Sequence, residues 1–239
     1  VSKFIYEPSG RAREYAPLAV NLYTGCPFGC TYCYVPATMR KKVAQFHNKS
    51  EVRKGVLEGL EKEAPNYSCQ EVLLCFGCDP YQPLSRTTII TRDAIKILGR
   101  AGCIPVILTK SNVRQDFDLL KKFRGKLGVS LTLLDARDSL AWEPRATLPH
   151  QRIEYLKAAK FVGLKTWVSL EPVIDPEQTK ELVHMTQPYV DHYKVGKLNH
   201  DPIVEKDIDW AKFAHEIKEI FDHYQQPHYI KQDLQDYIK

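Results

Sequence analysis

No stretch of this chain approaches the ~20 consecutive apolar residues that span a bilayer as a helix. The best candidate, Ile104 to Leu108, is far too short and contains Pro105. The start at Val1 also lacks the basic-then-apolar pattern of a secretory signal. A cytoplasmic protein with no membrane span is therefore expected. Extremes of composition are missing as well: with 12 Gly, 15 Pro, 44% hydrophobic and 26% charged residues, the chain is neither disordered, collagen-like nor fibrous. A strong charge of one sign is absent. Against 34 basic residues stand 29 acidic ones, and the net +5 is too mild to prove a polyanion partner while leaning toward one. An even set of cysteines is absent too. A secreted disulfide framework normally uses an even number, so the seven present point to a reducing compartment and to metal or redox use of some thiols.

The 239 residues do supply enough chain for a substantial core. Short apolar, β-branched runs alternate with longer segments of helical period, the pattern of parallel strands joined by crossover helices. Strands are predicted at Leu18 to Tyr23, Val72 to Gly77, Pro105 to Thr109, Leu127 to Leu134, Thr166 to Leu170 and His192 to Val195. Most are almost continuously apolar, as strands covered on both faces are. Helices are predicted at Ser50 to Glu63, Arg92 to Arg100, Val113 to Phe123, His150 to Phe161, Pro176 to Thr186 and Asp207 to Tyr224. In the first, Ser50 is placed to cap, and Val52, Val56, Leu57 and Leu60 form the buried stripe. In the fifth, Asp175 caps ahead of Pro176. No tandem repeat or low-complexity linker intervenes. The expected fold is therefore α/β, a single domain over residues 1–239 built as a partial (β/α)6 barrel. Its chemistry belongs at the C-terminal ends of the parallel strands, the face on which the two long loops, Gly25 to Lys49 and Asp135 to Pro149, also fall. Residues 224–239 are expected to form a tail packing on or beside the barrel.

The loop after the first strand reads Gly25-Cys26-Pro27-Phe28-Gly29-Cys30-Thr31-Tyr32-Cys33-Tyr34-Val35-Pro36, a CxxxCxxC triplet in a tight turn. Three thiolates can hold three irons of a [4Fe-4S] cube and leave the fourth to an external ligand, whereas structural zinc wants four protein ligands, usually as paired Cys-x-x-Cys units. On paper His47 can complete a zinc site, and unpaired thiols are a further alternative. With no second pair beside the triplet, the cluster is the better fit.

With Tyr32 just ahead of its third cysteine, the triplet resembles the radical S-adenosylmethionine superfamily. The resemblance narrows toward spore photoproduct lyase and its relatives through Cys33-Tyr34, Gly77-Cys78-Asp79-Pro80-Tyr81-Gln82-Pro83, Thr109-Lys110-Ser111, and Glu143-Pro144-Arg145 followed by Pro149 and Arg152. It implies a [4Fe-4S] cluster on Cys26, Cys30 and Cys33, S-adenosylmethionine on the open iron, and an electron donor of flavodoxin or ferredoxin type. Together these generate a 5′-deoxyadenosyl radical that abstracts a hydrogen atom. By the same resemblance Tyr32 offers its backbone near the adenine or simply packs in the loop. Tyr34 relays a hydrogen atom or packs, and Cys78 donates one or fills the core. The segment from Gly77 to Asp79 receives the methionine amino group, with Asp79 an acceptor there or only a turn residue.

Lys110, at a strand end where a buried cation needs an anion, meets the methionine carboxylate or stays solvated. Ser130 reaches the ribose or carboxylate, or is a satisfied core hydroxyl. Glu171 bonds ribose hydroxyls, or forms a salt bridge with Lys110, Arg145 or Lys197. Glu143 to Arg145 and Arg152 order their loop by ion pairing. Cys69, Cys75 and Cys103 belong to the core.

Beside the triplet, Met39-Arg40-Lys41-Lys42 is a solvated basic turn or a phosphate-binding rim. The tail can plug the barrel, act as a lid or stack on a base. The expected function is radical chemistry on a nucleic-acid base or nucleotide, as lesion repair or base modification. The alternatives are a non-catalytic iron–sulfur or zinc-binding regulatory protein, and a radical enzyme acting on a peptide or small metabolite.

Overall fold

The computed structural model describes residues 3–199 and 201–238. Its strands are β1 (Ile5–Tyr6), β2 (Leu18–Val20), β3 (Tyr23–Thr24), β4 (Glu51–Val52), β5 (Glu71–Leu74), β6 (Ile104–Thr109), β7 (Lys126–Ser130), β8 (Lys165–Val173), β9 (His192–Lys197) and β10 (His228–Ile230). Between them run helices α1 (Val35–Thr38), α2 (Val43–Asn48), α3 (Val56–Glu63), α4 (Ser85–Thr88), α5 (Ile90–Arg100) and α6 (Phe117–Lys122). The second half adds α7 (Ala136–Trp142), α8 (Pro149–Phe161), α9 (Pro176–Thr186), α10 (Pro202–Asp207), α11 (Trp210–His223) and α12 (Gln232–Gln235).

Eight strands form one sheet in the order β1-β2-β5-β6-β7-β8-β9-β10. Every neighbour from β2 to β10 is parallel, and β1 lies antiparallel on β2 at one edge. Among the described residues β1 and β10 end the order without pairing to each other. The α/β fold is thus an open, partial barrel, and the six predicted strand–helix units are β2 and β5 to β9 with their crossover helices. The helical period explains the packing. In α11, Trp210, Phe213, Ala214, Ile217 and Phe221 fall on one face and are all buried. In α9, the Asp175 side chain accepts from the Gln178 N–H and Pro176 opens the first turn, as its sequence predicts.

The structure departs from the expected bounds at informative places. The first strand stops at Val20. Tyr23 and Thr24 instead pair antiparallel with Val52 and Glu51, which form a separate two-stranded ribbon. That pairing pulls Ser50 to Val52 out of the expected helix. The helix begins at Val56 behind Gly55, whose φ of 71° is left-handed, and the Ser50 hydroxyl donates to Gln82 Oε1 at 2.6 Å rather than capping. The loop after β7 contains a helix of its own, α7, capped by Asp135. Tail residues 228–230 add β10 beside β9. Val1, Ser2 and Lys239, at the limits of the expected domain and tail, lie outside the described residues.

Candidate functional site

The β3–β4 ribbon clamps the two ends of the cysteine loop where it leaves and rejoins the barrel mouth. Inside the loop the backbone closes on itself. The Cys26 N–H donates to the Phe46 carbonyl at 3.2 Å and the Cys33 N–H to the Cys30 carbonyl at 3.1 Å. Gly25 sits at φ 89°, and a Cβ there would lie 2.2 Å from the Lys49 carbonyl oxygen, so a side chain cannot be accommodated. Gly29, at φ 67°, is approached by the Arg145 guanidinium, 2.6 Å from where a Cβ would stand. The Thr31 N–H donates to the Trp142 carbonyl at 2.9 Å, so the cysteine loop rests on α7 and the two long loops support one another.

Glu143 is the knot of that support. Its carboxylate accepts from the Tyr32 hydroxyl, from Thr132 Oγ1 at 2.9 Å and from Arg152 Nη2. Arg152 also donates to the Ser130 carbonyl at 2.9 Å and the Thr147 carbonyl at 2.6 Å. Burial alone would raise Glu143, but Arg152 and then Lys110 outweigh it and hold the carboxyl below its ordinary value. The Lys110 ammonium stands 3.9 Å from Glu143 and 5.7 Å from the Tyr32 ring centroid. It is beyond hydrogen-bond reach of a carboxylate whose oxygens already serve three donors, so it retains donors for a second anion.

On the next strand ends, the Gly77 N–H donates to Asn21 Oδ1 at 2.7 Å. Asp79 accepts from the Tyr81 N–H at 2.8 Å and from Thr109 Oγ1 and the Lys110 N–H, each at 2.7 Å. It ties the ends of β5 and β6 together, while burial raises its carboxyl despite those donors. The Cys78 thiol donates to the Tyr23 carbonyl at 3.6 Å. Tyr34 is 44% exposed, its ring 6.5 Å from that of Phe76. Ser130 is buried at the end of β7.

Glu171 takes a salt-bridge partner other than those expected: Lys231, from the tail, whose Nζ lies 2.8 Å and 2.9 Å from its two oxygens. The Tyr15 hydroxyl also donates to Glu171 and lies 2.9 Å from Ser169 Oγ. Sequence reading missed Tyr15, Asn21 and Lys231. The last two directly follow β2 and β10, and the strand-end argument would have found them had β2 been bounded correctly and β10 been foreseen.

Cys26, Cys30, Cys33, Tyr32, Tyr34, Gly77, Cys78, Asp79, Lys110, Ser130 and Glu171 line a single cavity of about 560 Å³ at the C-terminal mouth of the sheet, whereas Glu143, Arg145, Arg152 and the basic turn at Arg40 to Lys42 stand outside its lining. Burial above all pushes the three triplet thiols up, Cys30 to about 11. Thiolates in such a place need a positive partner, which iron supplies and Lys110 assists at Cys30 and Cys33. The zinc alternative lacks a fourth ligand at this cavity: His47, whose Nδ1 donates to the Cys26 carbonyl at 2.8 Å, is not among the residues that line it. Among the described residues no three His, Cys, Asp or Glu side chains are grouped to hold a metal ion. A cube asks for less convergence, because each cysteine binds a different iron. The residues present therefore fit a [4Fe-4S] cluster with an open iron.

An open parallel barrel with a three-cysteine loop at its mouth defines an iron–sulfur enzyme of the radical type. The chain belongs to the Radical SAM superfamily, whose model matches residues 20–187. It is accordingly a radical S-adenosylmethionine enzyme, and the family's cofactors are a [4Fe-4S] cluster and S-adenosylmethionine. An uncharacterized protein of Methanocaldococcus jannaschii is 23% identical over 189 residues, covering 77% of this chain and 71% of that protein. Spore photoproduct lyase complexed with dinucleoside spore photoproduct superposes with a TM-score of 0.70 at 15% identity, over 94% of this chain and 78% of that one. Streptococcus suis SuiB bound to S-adenosylmethionine gives 0.67 at 16% identity, over 89% of this chain and 49% of SuiB. The chain thus spans about half the length of SuiB, and at these identities the likeness is one of fold. Among the described residues no helix is long and apolar enough to cross a membrane.

Proposed function

We propose that this radical S-adenosylmethionine enzyme acts on a nucleic-acid base or nucleotide, in lesion repair or base modification of the photoproduct-lyase kind. The observation that carries the proposal is the common cavity. The cysteine loop and the lyase-like segments at Gly77–Asp79 and Lys110 meet there, and exposed Tyr34 and Met39 form an edge next to Arg40, Lys41 and Lys42. An aromatic and a thioether beside basic residues suit a base and its phosphate. The fold it shares with a lyase solved with a dinucleoside photoproduct adds support. On this proposal residues 1–239 work as one unit, tail included, in the cytoplasm with a flavodoxin- or ferredoxin-type electron donor.

When bound, the cluster and S-adenosylmethionine supply a 5′-deoxyadenosyl radical that abstracts a hydrogen atom. Cys26, Cys30 and Cys33 hold three irons. Lys110 orients the methionine carboxylate, and Gly77, its N–H taken by Asn21, presents its carbonyl to the amino group. Tyr32 offers its backbone to the adenine from a ring anchored on Glu143. Ser130 and Glu171, the latter held by Lys231 and Tyr15, face the ribose. Cys78 and Tyr34 are the hydrogen-atom path. The test incubates the reconstituted, reduced protein with S-adenosylmethionine and deuterium-labelled DNA, RNA or nucleotides. Deuterium is expected in 5′-deoxyadenosine from one of these classes. Cleavage of S-adenosylmethionine with no transfer from any of them overturns the substrate assignment.

A further inference from the structure

Directly after β5 the chain reads Cys75-Phe76-Gly77-Cys78, a Cys-x-x-Cys pair that the sequence reading divided, giving Cys75 to the core and leaving Cys78 between hydrogen donor and core. The structure brings both to the cavity wall, and both thiols are free. Two adjacent residues hold the two sulfurs. The Leu22 N–H donates to Cys75 Sγ at 3.4 Å, and Cys78 Sγ donates to the carbonyl of Tyr23 at 3.6 Å. Cys75 itself takes a left-handed backbone, φ 66°, which an L-residue adopts only at an energetic cost. Glycine or asparagine would adopt that conformation more readily, so filling space does not account for a thiol there.

We propose that Cys75 and Cys78 form a redox-active dithiol in the cavity wall, with Cys78 the hydrogen-atom donor and Cys75 the thiol that closes on it as a disulfide. The donor step rests on the radical reading above; the pairing of the sulfurs rests on the fold alone. In that step the Cys78 S–H bond breaks homolytically and its hydrogen atom forms a C–H bond on a carbon-centred substrate radical, leaving a thiyl radical. The Cys75 sulfur bonds to that thiyl and releases its proton to solvent. One electron then passes from the disulfide radical anion to an oxidised one-electron carrier of flavin or iron–sulfur type. Substrate radical and two thiols thus become reduced substrate, disulfide, one proton and one electron. A small dithiol reductant resets the pair by exchange.

The test uses holoprotein carrying Cys69→Ala, since exposed Cys69 falls on the same tryptic peptide, Glu63 to Arg86. The protein is equilibrated anaerobically with graded mixtures of reduced and oxidised glutathione, blocked with iodoacetamide and mapped by mass spectrometry. A Cys75–Cys78 disulfide is expected to form and disappear reversibly with the glutathione ratio, and to be absent from Cys75→Ser. Both thiols remaining open to alkylation at every ratio overturns the proposal. In a single turnover with a nucleic-acid substrate, disulfide is expected to rise in step with product, and product without disulfide overturns the donor step. Failure of every nucleic-acid substrate to give product counts against the proposed function instead, and leaves the glutathione result standing.

Discussion

Replacing Arg152 by Met removes the cation on which one wall of the cavity is built. The Arg152 and Glu143 side chains are 1% and 0% exposed, and the guanidinium also serves the Ser130 and Thr147 carbonyls. Methionine keeps much of the apolar stem but leaves two carbonyls and a carboxylate without their donor. Breaking one side of a buried pair costs about 3–5 kcal/mol, a large share of the roughly 5–15 kcal/mol that holds a domain folded. Lys110, 3.9 Å from Glu143, remains and offsets part of the loss, so the lower end applies. With a urea slope of about 3 kcal/mol/M, the midpoint falls by about 1 M at neutral pH. The pH dependence carries the signature. In the native fold Glu143 lies below its ordinary value, so its contribution is complete above the unfolded value of 4.5 and is lost as pH falls through the folded one. In Arg152→Met burial wins, the folded value rises above the unfolded one, and the sign reverses. The variant's contribution from Glu143 is then full below the unfolded value and lost as pH rises through the folded one. Its deficit against the native protein therefore narrows from about pH 7 toward about pH 4. A deficit below about 1 kcal/mol at neutral pH, or one that widens on acidification, refutes the reasoning.

Replacing Cys26, Cys30 and Cys33 together by Ala is expected to abolish bound iron and sulfide while the far-ultraviolet circular dichroism persists. A full complement of iron in the triple variant would remove the cluster from this loop. Lys110→Ala forgoes a charge-assisted contact worth about 1.5–3 kcal/mol, so equilibrium dialysis should show S-adenosylmethionine binding weakened roughly 10- to 150-fold. Unchanged affinity takes Lys110 out of the site. Lys231→Met leaves Glu171 with the Tyr15 hydroxyl but no cation, at a cost of about 1.5–3 kcal/mol, and should speed amide exchange through His228–Ile230. Exchange there at the native rate would show that the ion pair does not hold the tail strand.

The longer strands were legible because a parallel strand buried on both faces must be apolar over several residues, and β6, β7 and β8 are. The strands that escaped are the short ones. Ile5–Tyr6, Tyr23–Thr24, Glu51–Val52 and His228–Ile230 have too few residues to show a period, and their pairing is decided by tertiary partners far along the chain. Ser50 shows the same limit from the helix side. A good capping residue followed by apolar spacing reads as a helix start, but cross-strand pairing of Glu51 and Val52 wins that segment.

The site was more legible than its supports, and for a geometric reason. A residue that ends a parallel strand faces the mouth wherever the strand stands in the order, so Gly77, Lys110 and Glu171, at or just past the ends of predicted strands, could be assigned to one face without knowing their neighbours. What holds each of them there depends on which loop crosses beside it, and that is written in no local pattern. Tyr15 lies in the segment between β1 and β2, and Lys231 follows the unforeseen β10. The two converge on Glu171 only because the sheet carries an extra strand at each end. The Lys194 ammonium fixes the same arrangement from β9 by donating to the Glu14 and Tyr15 carbonyls, both at 2.7 Å. The segment before β2 and the start of the tail after β10 thus both reach the cavity wall. A perturbation of the tail, distant in sequence from every cluster cysteine, should therefore be felt at the Glu171 carboxylate in the cavity wall.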